Sequence, residues 1–277
     1  MAAWRRLVPQ GESMHKILIA IFAMLAITTS AKAQSAQDNR ARAQYLAAEA
    51  SYDRGDYEAA LRSEEQAREI LGQDNALLAA MRVRIYSRQG WVFSARDALE
   101  QFYQYDASPE LLREIGQVEN NLPAPSATAA FDEAVAANRR ADYTLAARAY
   151  EFACESGEDH GCFGLAYAYS NGLGVEQNGE RSVRLYEPLC DAGNEYACAN
   201  LGSVYLNGGT MPPNYERAAH FWRRACDGGY SLMCWRAGDL YSNPAHGFYD
   251  ATLATSLLAQ GCELRNSESC EALEAIK

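Results

Sequence analysis

Eight cysteines carry the clearest potential chemistry in this chain, and all of them lie in its second half. They fall as Cys154 and Cys162, Cys190 and Cys198, Cys226 and Cys234, and Cys262 and Cys270. The members of each pair are eight positions apart, and successive pairs are thirty-six apart. Such thiols can bind zinc or be oxidised to disulfides. Structural zinc sites favour spacers of about two to four residues between ligands, whereas seven intervene here. Disulfides are the better reading, and of the many ways to pair eight cysteines the period singles out the four local ones. Each would close a loop of roughly nine residues, worth about 2.5 kcal/mol by restricting the unfolded chain. Bonds of this kind need an oxidising compartment.

Other reactive constellations are sparse. Beyond residue 33 the histidines are His160, His220 and His246, widely separated in sequence. Neither His-Glu-x-x-His nor Gly-x-Ser-x-Gly occurs, and no phosphate-binding glycine loop precedes a helix. The residues therefore assign no catalytic group, no metal ligand and no cofactor.

The elements that position the cysteines can be read from the same thirty-six-residue step. Tyr169, Tyr205 and Tyr241 recur in phase, as do Tyr150, Tyr186 and Trp222. Small residues recur as Ala146, Ser182, Ala218 and Ala254, and as Ala166, Gly202 and Gly238. Asp142, Asn178, Asn214 and Asp250 stand where a helix N-cap is needed. Gly157, Gly193 and Gly229 fall in the turn between paired cysteines, and Asn171-Gly172, Asn207-Gly208 and Asn243-Pro244 end the preceding helix. Each unit thus reads as helix, turn, helix, turn, and the cysteine pair joins the second helix of one unit to the first of the next. The expected fold class is all-α: an α-α superhelix, or solenoid, of helix-turn-helix repeats stapled by disulfides.

Two segments, Leu165 to Val175 (LAYAYSNGLGV) and Leu201 to Gly209 (LGSVYLNGG), resemble Sel1-like repeats, which are relatives of tetratricopeptide repeats. The cysteine spacing is similar to that of the cysteine-rich secreted branch of the family. The resemblance covers Asp142 to about Cys270 and weakens in the last unit, where Pro244 replaces the glycine. It implies a right-handed superhelix of antiparallel helix pairs whose concave face, lined by the first helix of each pair, holds proteins or peptides. Repeat position then nominates Phe163, Tyr167, Asn171, Ser203, Asn207, Trp235 and Asp239 as partner-binding residues. For the asparagines helix capping competes with that role, and for Phe163 and Trp235 core packing does. Some cysteine-rich members are called β-lactamases, but the serine route needs Ser-x-x-Lys. The only lysine beyond residue 33 is Lys277, and Glu274 stands three positions before it.

The first half is less regular. Gly55 to Leu61 (GDYEAAL), with Ala67 and Leu71, looks like one tetratricopeptide unit, and Ala76 to Tyr103 like a fainter second one. Ser108 caps a helix that starts at Pro109. The expected organisation is a signal peptide over 1–33, a tetratricopeptide-like helical lobe over 34–121, a linker over 122–129, and a disulfide-linked repeat array over 130–277. The signal peptide rests on Lys16, the apolar run Ile17 to Ile27, and Ala31-Lys32-Ala33 as a small-x-small cleavage site. Eleven apolar residues are too few for a permanent span of a ~30 Å hydrocarbon core, and no cysteine beside the cleavage site offers a lipid anchor. A formal charge of −11 argues against nucleic acid, which demands a basic field, and it favours basic partners.

The function expected is an exported, non-catalytic scaffold, periplasmic or secreted, with a protein or peptide partner in its concave groove. Two alternatives are a protein that binds β-lactams or peptidoglycan fragments with weak or no hydrolysis, and a secreted effector that engages host proteins. Cleavage after Ala33 should leave Gln34 as the first residue of the exported product. N-terminal sequencing checks this, and a retained Met1 or Met14 would count against it.

Overall fold

The structure, a computed structural model, describes residues 34–207 and 210–276. The proposed signal peptide, Gly208, Gly209 and Lys277 lie outside the described residues. The described residues form fourteen α-helices and no strand, and the chain divides between Pro125 and Ser126 into two compact units.

The first unit contains α1 (Gln34–Asp53), α2 (Tyr57–Leu71), α3 (Ala76–Gln89), α4 (Val92–Phe102) and α5 (Pro109–Asn120). Gly55 and Gly90 take positive φ in the turns before α2 and α4, and Ala60, Ala95 and Ala98 are buried in the packing that follows. Ser108 accepts from the Leu111 backbone N–H at the start of α5. A charged network runs through this unit. Arg82, 7% exposed, donates to Glu64, which is 2% exposed, at 2.5 Å. It also pairs with Asp74 and donates to Gln101 at 3.2 Å. Burial still pushes the Glu64 carboxyl above its ordinary range despite the guanidinium beside it.

The expected linker is shorter than its composition implies. Ser126 accepts from the Ala129 backbone N–H and starts a helix at Ala127, so residues 127–129 are helical. Three alanines and a threonine next to a serine cap favour helix over coil. The Leu122 and Pro123 carbonyls accept from Arg96 at 2.9 and 3.0 Å, which ties down the start of the segment.

The second unit contains α6 (Ala127–Arg139), α7 (Tyr143–Glu155), α8 (Asp159–Asn171), α9 (Gly179–Asp191), α10 (Glu195–Asn207), α11 (Tyr215–Asp227), α12 (Ser231–Ser242), α13 (Ala251–Glu263) and α14 (Ser267–Ala275). Asp142, Asn178, Asn214 and Asp250 each accept from the backbone N–H three residues on, at 2.9 to 3.2 Å. Gly172 closes α8 in the left-handed conformation. Asn243 does not: the following Pro244 keeps it extended, and its side chain instead caps the 3-10 turn Pro244–His246.

Neighbouring helices meet over small residues. Ala146, Ser182, Ala218 and Ala254 are all at most 2% exposed. Ser182 turns its hydroxyl onto the Ala166 carbonyl at 2.9 Å. The Trp222 indole lies across Gly202 and donates to the Ala199 carbonyl at 3.0 Å. The four local cysteine pairs are disulfides, with Cα atoms 4.4 to 4.7 Å apart, and each spans the junction from one helix pair to the next. In three of these turns a glycine takes positive φ: Gly157, Gly193 and Gly229. In the fourth, Arg265 stands at the same phase with φ 65°.

Two outcomes follow for stability. A Cβ on Gly202 would lie 2.4 Å from the buried Trp222 ring, so Gly202→Ala should lower stability by about 1–3 kcal/mol. Arg265→Gly should raise it by about 0.5–1 kcal/mol, since the left-handed cost of a side chain exceeds the entropy cost of glycine. Urea unfolding of the chain from Gln34 onward measures both.

Candidate functional site

Two adjoining hollows lie in the second unit, one walled by α6, α7 and α8 and the other by α8, α10 and α12. The smaller, about 260 Å³, lies among α6, α7 and α8 and is almost wholly apolar. Phe131, Tyr143, Tyr150, Phe163 and Tyr167 form its walls. Gly164 is what lets Tyr150 lie against α8, because a Cβ there would sit 2.6 Å from the ring.

The larger hollow, about 690 Å³, lies among α8, α10 and α12 and shares His160 and Phe163 with the first. Its polar groups have defined local roles. Asn194 caps α10 through the Ala197 backbone N–H at 2.9 Å. The Asn200 amide donates to the Tyr186 hydroxyl at 3.1 Å, and burial raises that phenol above its ordinary range. Ser203 donates to the Ala199 carbonyl at 3.0 Å. Tyr196, 56% exposed, leans on Tyr230 with ring centres 5.3 Å apart.

Two basic side chains border this space. Arg236 places its guanidinium over the Trp222 ring at 5.4 Å, and its Nε is buried without a hydrogen-bond partner. The His160 ring meets the Glu158 carboxylate at 2.9 Å, a bond that holds Glu158 below the usual carboxylate range. No aspartate or glutamate lines either hollow. The other described α-helix that bears a histidine, α11, keeps His220 apart from both, with its pKa lowered by burial and then by Arg223, Arg224 and Arg217.

The residues nominated from repeat position separate into three groups. Phe163, Ser203 and Asn207 line the larger hollow, and Phe163 and Tyr167 line the smaller. Phe163 is also half-buried, edge-on to Tyr186 at 5.3 Å, so it serves packing and lining together. Asn171 lines neither hollow; its amide is used on the Tyr167 carbonyl at 2.9 Å and the Ser170 hydroxyl at 2.8 Å. Trp235 and Asp239 also line neither. They are the equivalents of Ala199 and Ser203, which α10 turns toward α12. From α12 the larger hollow takes Leu232, Met233 and Arg236.

Tyr196, Asn200, Tyr230 and Arg236 were not evident from repeat position alone. A signal for two of them exists. Gly164, Asn200 and Arg236 share one phase, and a phase that changes character while its neighbours recur marks side chains released from the packing frame.

The Sel1 repeat model matches residues 159–194 and 195–230, which contain α8 with α9 and α10 with α11. Among solved structures the chain is similar to a Sel1 repeat protein from Oxalobacter formigenes, at 20% identity and a TM-score of 0.47, over 57% of this chain and 68% of that one. It is also similar to a protective antigen of uropathogenic Escherichia coli strains with an SLR fold, at 18% identity and a TM-score of 0.48. That match covers 96% of this chain and 64% of the antigen. No curated protein matches. Residues 159–230 thus match two Sel1 repeats in tandem.

Proposed function

We propose that this chain is an exported, non-catalytic scaffold that holds an extended peptide segment of a partner protein along α8, α10 and α12. Sel1 repeats are scaffolds suited to protein–protein interaction. The observation that carries the reading is the larger hollow, where amides, hydroxyls and aromatic rings alternate on helices of successive repeats. Amides such as Asn207 can satisfy the donors and acceptors of an extended backbone, while Tyr196 and Tyr230 supply rigid aromatic surface of the kind that dominates binding energy. The polar groups of the hollow include no nucleophile held by a base, so the arrangement suits binding.

Export fits the covalent chemistry. Four disulfides suggest an oxidising, extracytoplasmic environment, and no described helix is long and apolar enough to cross a membrane. The site of action in this reading is the periplasm or beyond the cell, reached through the leader that ends at Ala33.

Panning a random peptide library over the immobilised chain from Gln34 onward tests the reading. A short family of sequences should be enriched, and Tyr196→Ala should weaken its binding about tenfold, as expected for an exposed aromatic anchor. The melting temperature should hardly change, because more than half of that side chain is exposed. Absence of any enriched sequence, or equal binding to the Tyr196→Ala chain, would overturn the groove.

A further inference from the structure

The larger hollow is lined by Arg236 and by no carboxylate, its one histidine, His160, being already paired with Glu158, in a chain whose formal charge is −11. Arg223 on α11 likewise has a buried, unbonded Nε, but it lines neither hollow, and other buried or half-buried arginines are matched by carboxylates. Arg82 pairs with Glu64 and Asp74, Arg84 with Glu49 and Glu114, and Arg224 with Asp191. Arg236 has an aromatic ring beneath it and, among the described residues, no acidic partner. Its Nε is buried and unbonded. Leaving a guanidinium donor buried and unpaired is unfavourable, so its position is explained if an incoming anion completes the pair.

The neighbouring hollow has the opposite character. It is apolar, bounded by rings, and joined to the larger one through Phe163 and His160. Helices of an array pack about 8–10 Å apart, so a ligand that reaches from α7–α8 to α12 spans roughly two such steps. An extended peptide covers that distance in about four to six residues at ~3.4 Å each.

Resting on the peptide-binding reading above, we infer that the occupant is bipartite: an apolar side chain fills the smaller hollow, and an aspartate or glutamate side chain four to six residues away pairs with Arg236. The acidic surface of the rest of the chain then opposes any acidic peptide that lacks the apolar anchor, which sharpens selection. This assigns the groove an acidic partner, in contrast to the basic partner that net charge alone suggests.

The test uses acetylated and amidated fluorescent peptides, so that only side-chain carboxylates are present. Each holds one Leu or Phe and, five residues away, Glu, Gln or Lys. Anisotropy titrations are run on the chain from Gln34 onward and on Arg236→Gln, Arg236→Lys and Arg236→Glu. The wild type should prefer Glu over Gln by at least tenfold. Arg236→Gln should abolish that preference, so that Glu and Gln peptides bind alike. Arg236→Lys should keep part of it, and Arg236→Glu should turn it toward Lys. These charge variants also separate recognition from folding, since a merely structural loss would lower affinity for all three peptides alike.

Equal binding of Glu and Gln peptides by the wild type, or a Glu preference that survives Arg236→Gln, overturns the inference while leaving the groove as a peptide site. Recognition confined to free C-termini, with internal Glu ignored, overturns the side-chain assignment. No binding of any peptide overturns both this inference and the function it rests on.

Discussion

A repeat array has no central core, so each helix pair must bury its apolar face on its neighbours, and in the second unit two contacts set how close that approach is. One is steric: Trp222 fits against α10 only because position 202 has no side chain, and Leu258 meets Gly238 in the equivalent place. The other is covalent: a disulfide holds the end of each second-type helix to the start of the next first-type helix. Between them they fix the spacing of α8, α10 and α12. The hollows are the spaces left on the face of those helices where the packing frame makes no demand.

The two units solve the same problem with different chemistry. The first, where no disulfide stands, buries an arginine network that includes Glu64, Asp74 and Gln101. Such a network specifies one arrangement, because any partner removed leaves a charge stranded in a low dielectric. The second replaces most of that specification with staples and tight small-residue seams. It keeps its arginines nearer the surface, as in the recurring Arg181–Tyr169 and Arg217–Tyr205 pairs at 2.7 and 2.8 Å.

Much of the frame was legible because it recurs. Caps such as Asn178 and Asn214 repeat a local hydrogen bond that depends on one side chain and its own helix, so spacing alone reveals them. The junction disulfides are legible for the same reason. The start of α6 is less legible, because Pro123 and Pro125 suggest an irregular segment while Ser126 caps a helix within one residue. The groove was only partly legible. Its lining depends on which face of a first-type helix turns toward which neighbour, and that rotation places Arg236 in the hollow and leaves Trp235 out of it. A single repeat's pattern does not contain that information, because it arises between repeats.

The placement of the staples also bears on how such a chain can change in length. Every disulfide links the same two phases of a thirty-six-residue period, so deleting or duplicating any thirty-six-residue stretch within the periodic region removes or adds one whole pair. The new junction again brings two cysteines eight residues apart, with no orphan thiol left to scramble its neighbours. An array built this way can gain or lose modules through unequal recombination without re-learning its oxidative folding, and the reach of its groove can be altered one repeat at a time.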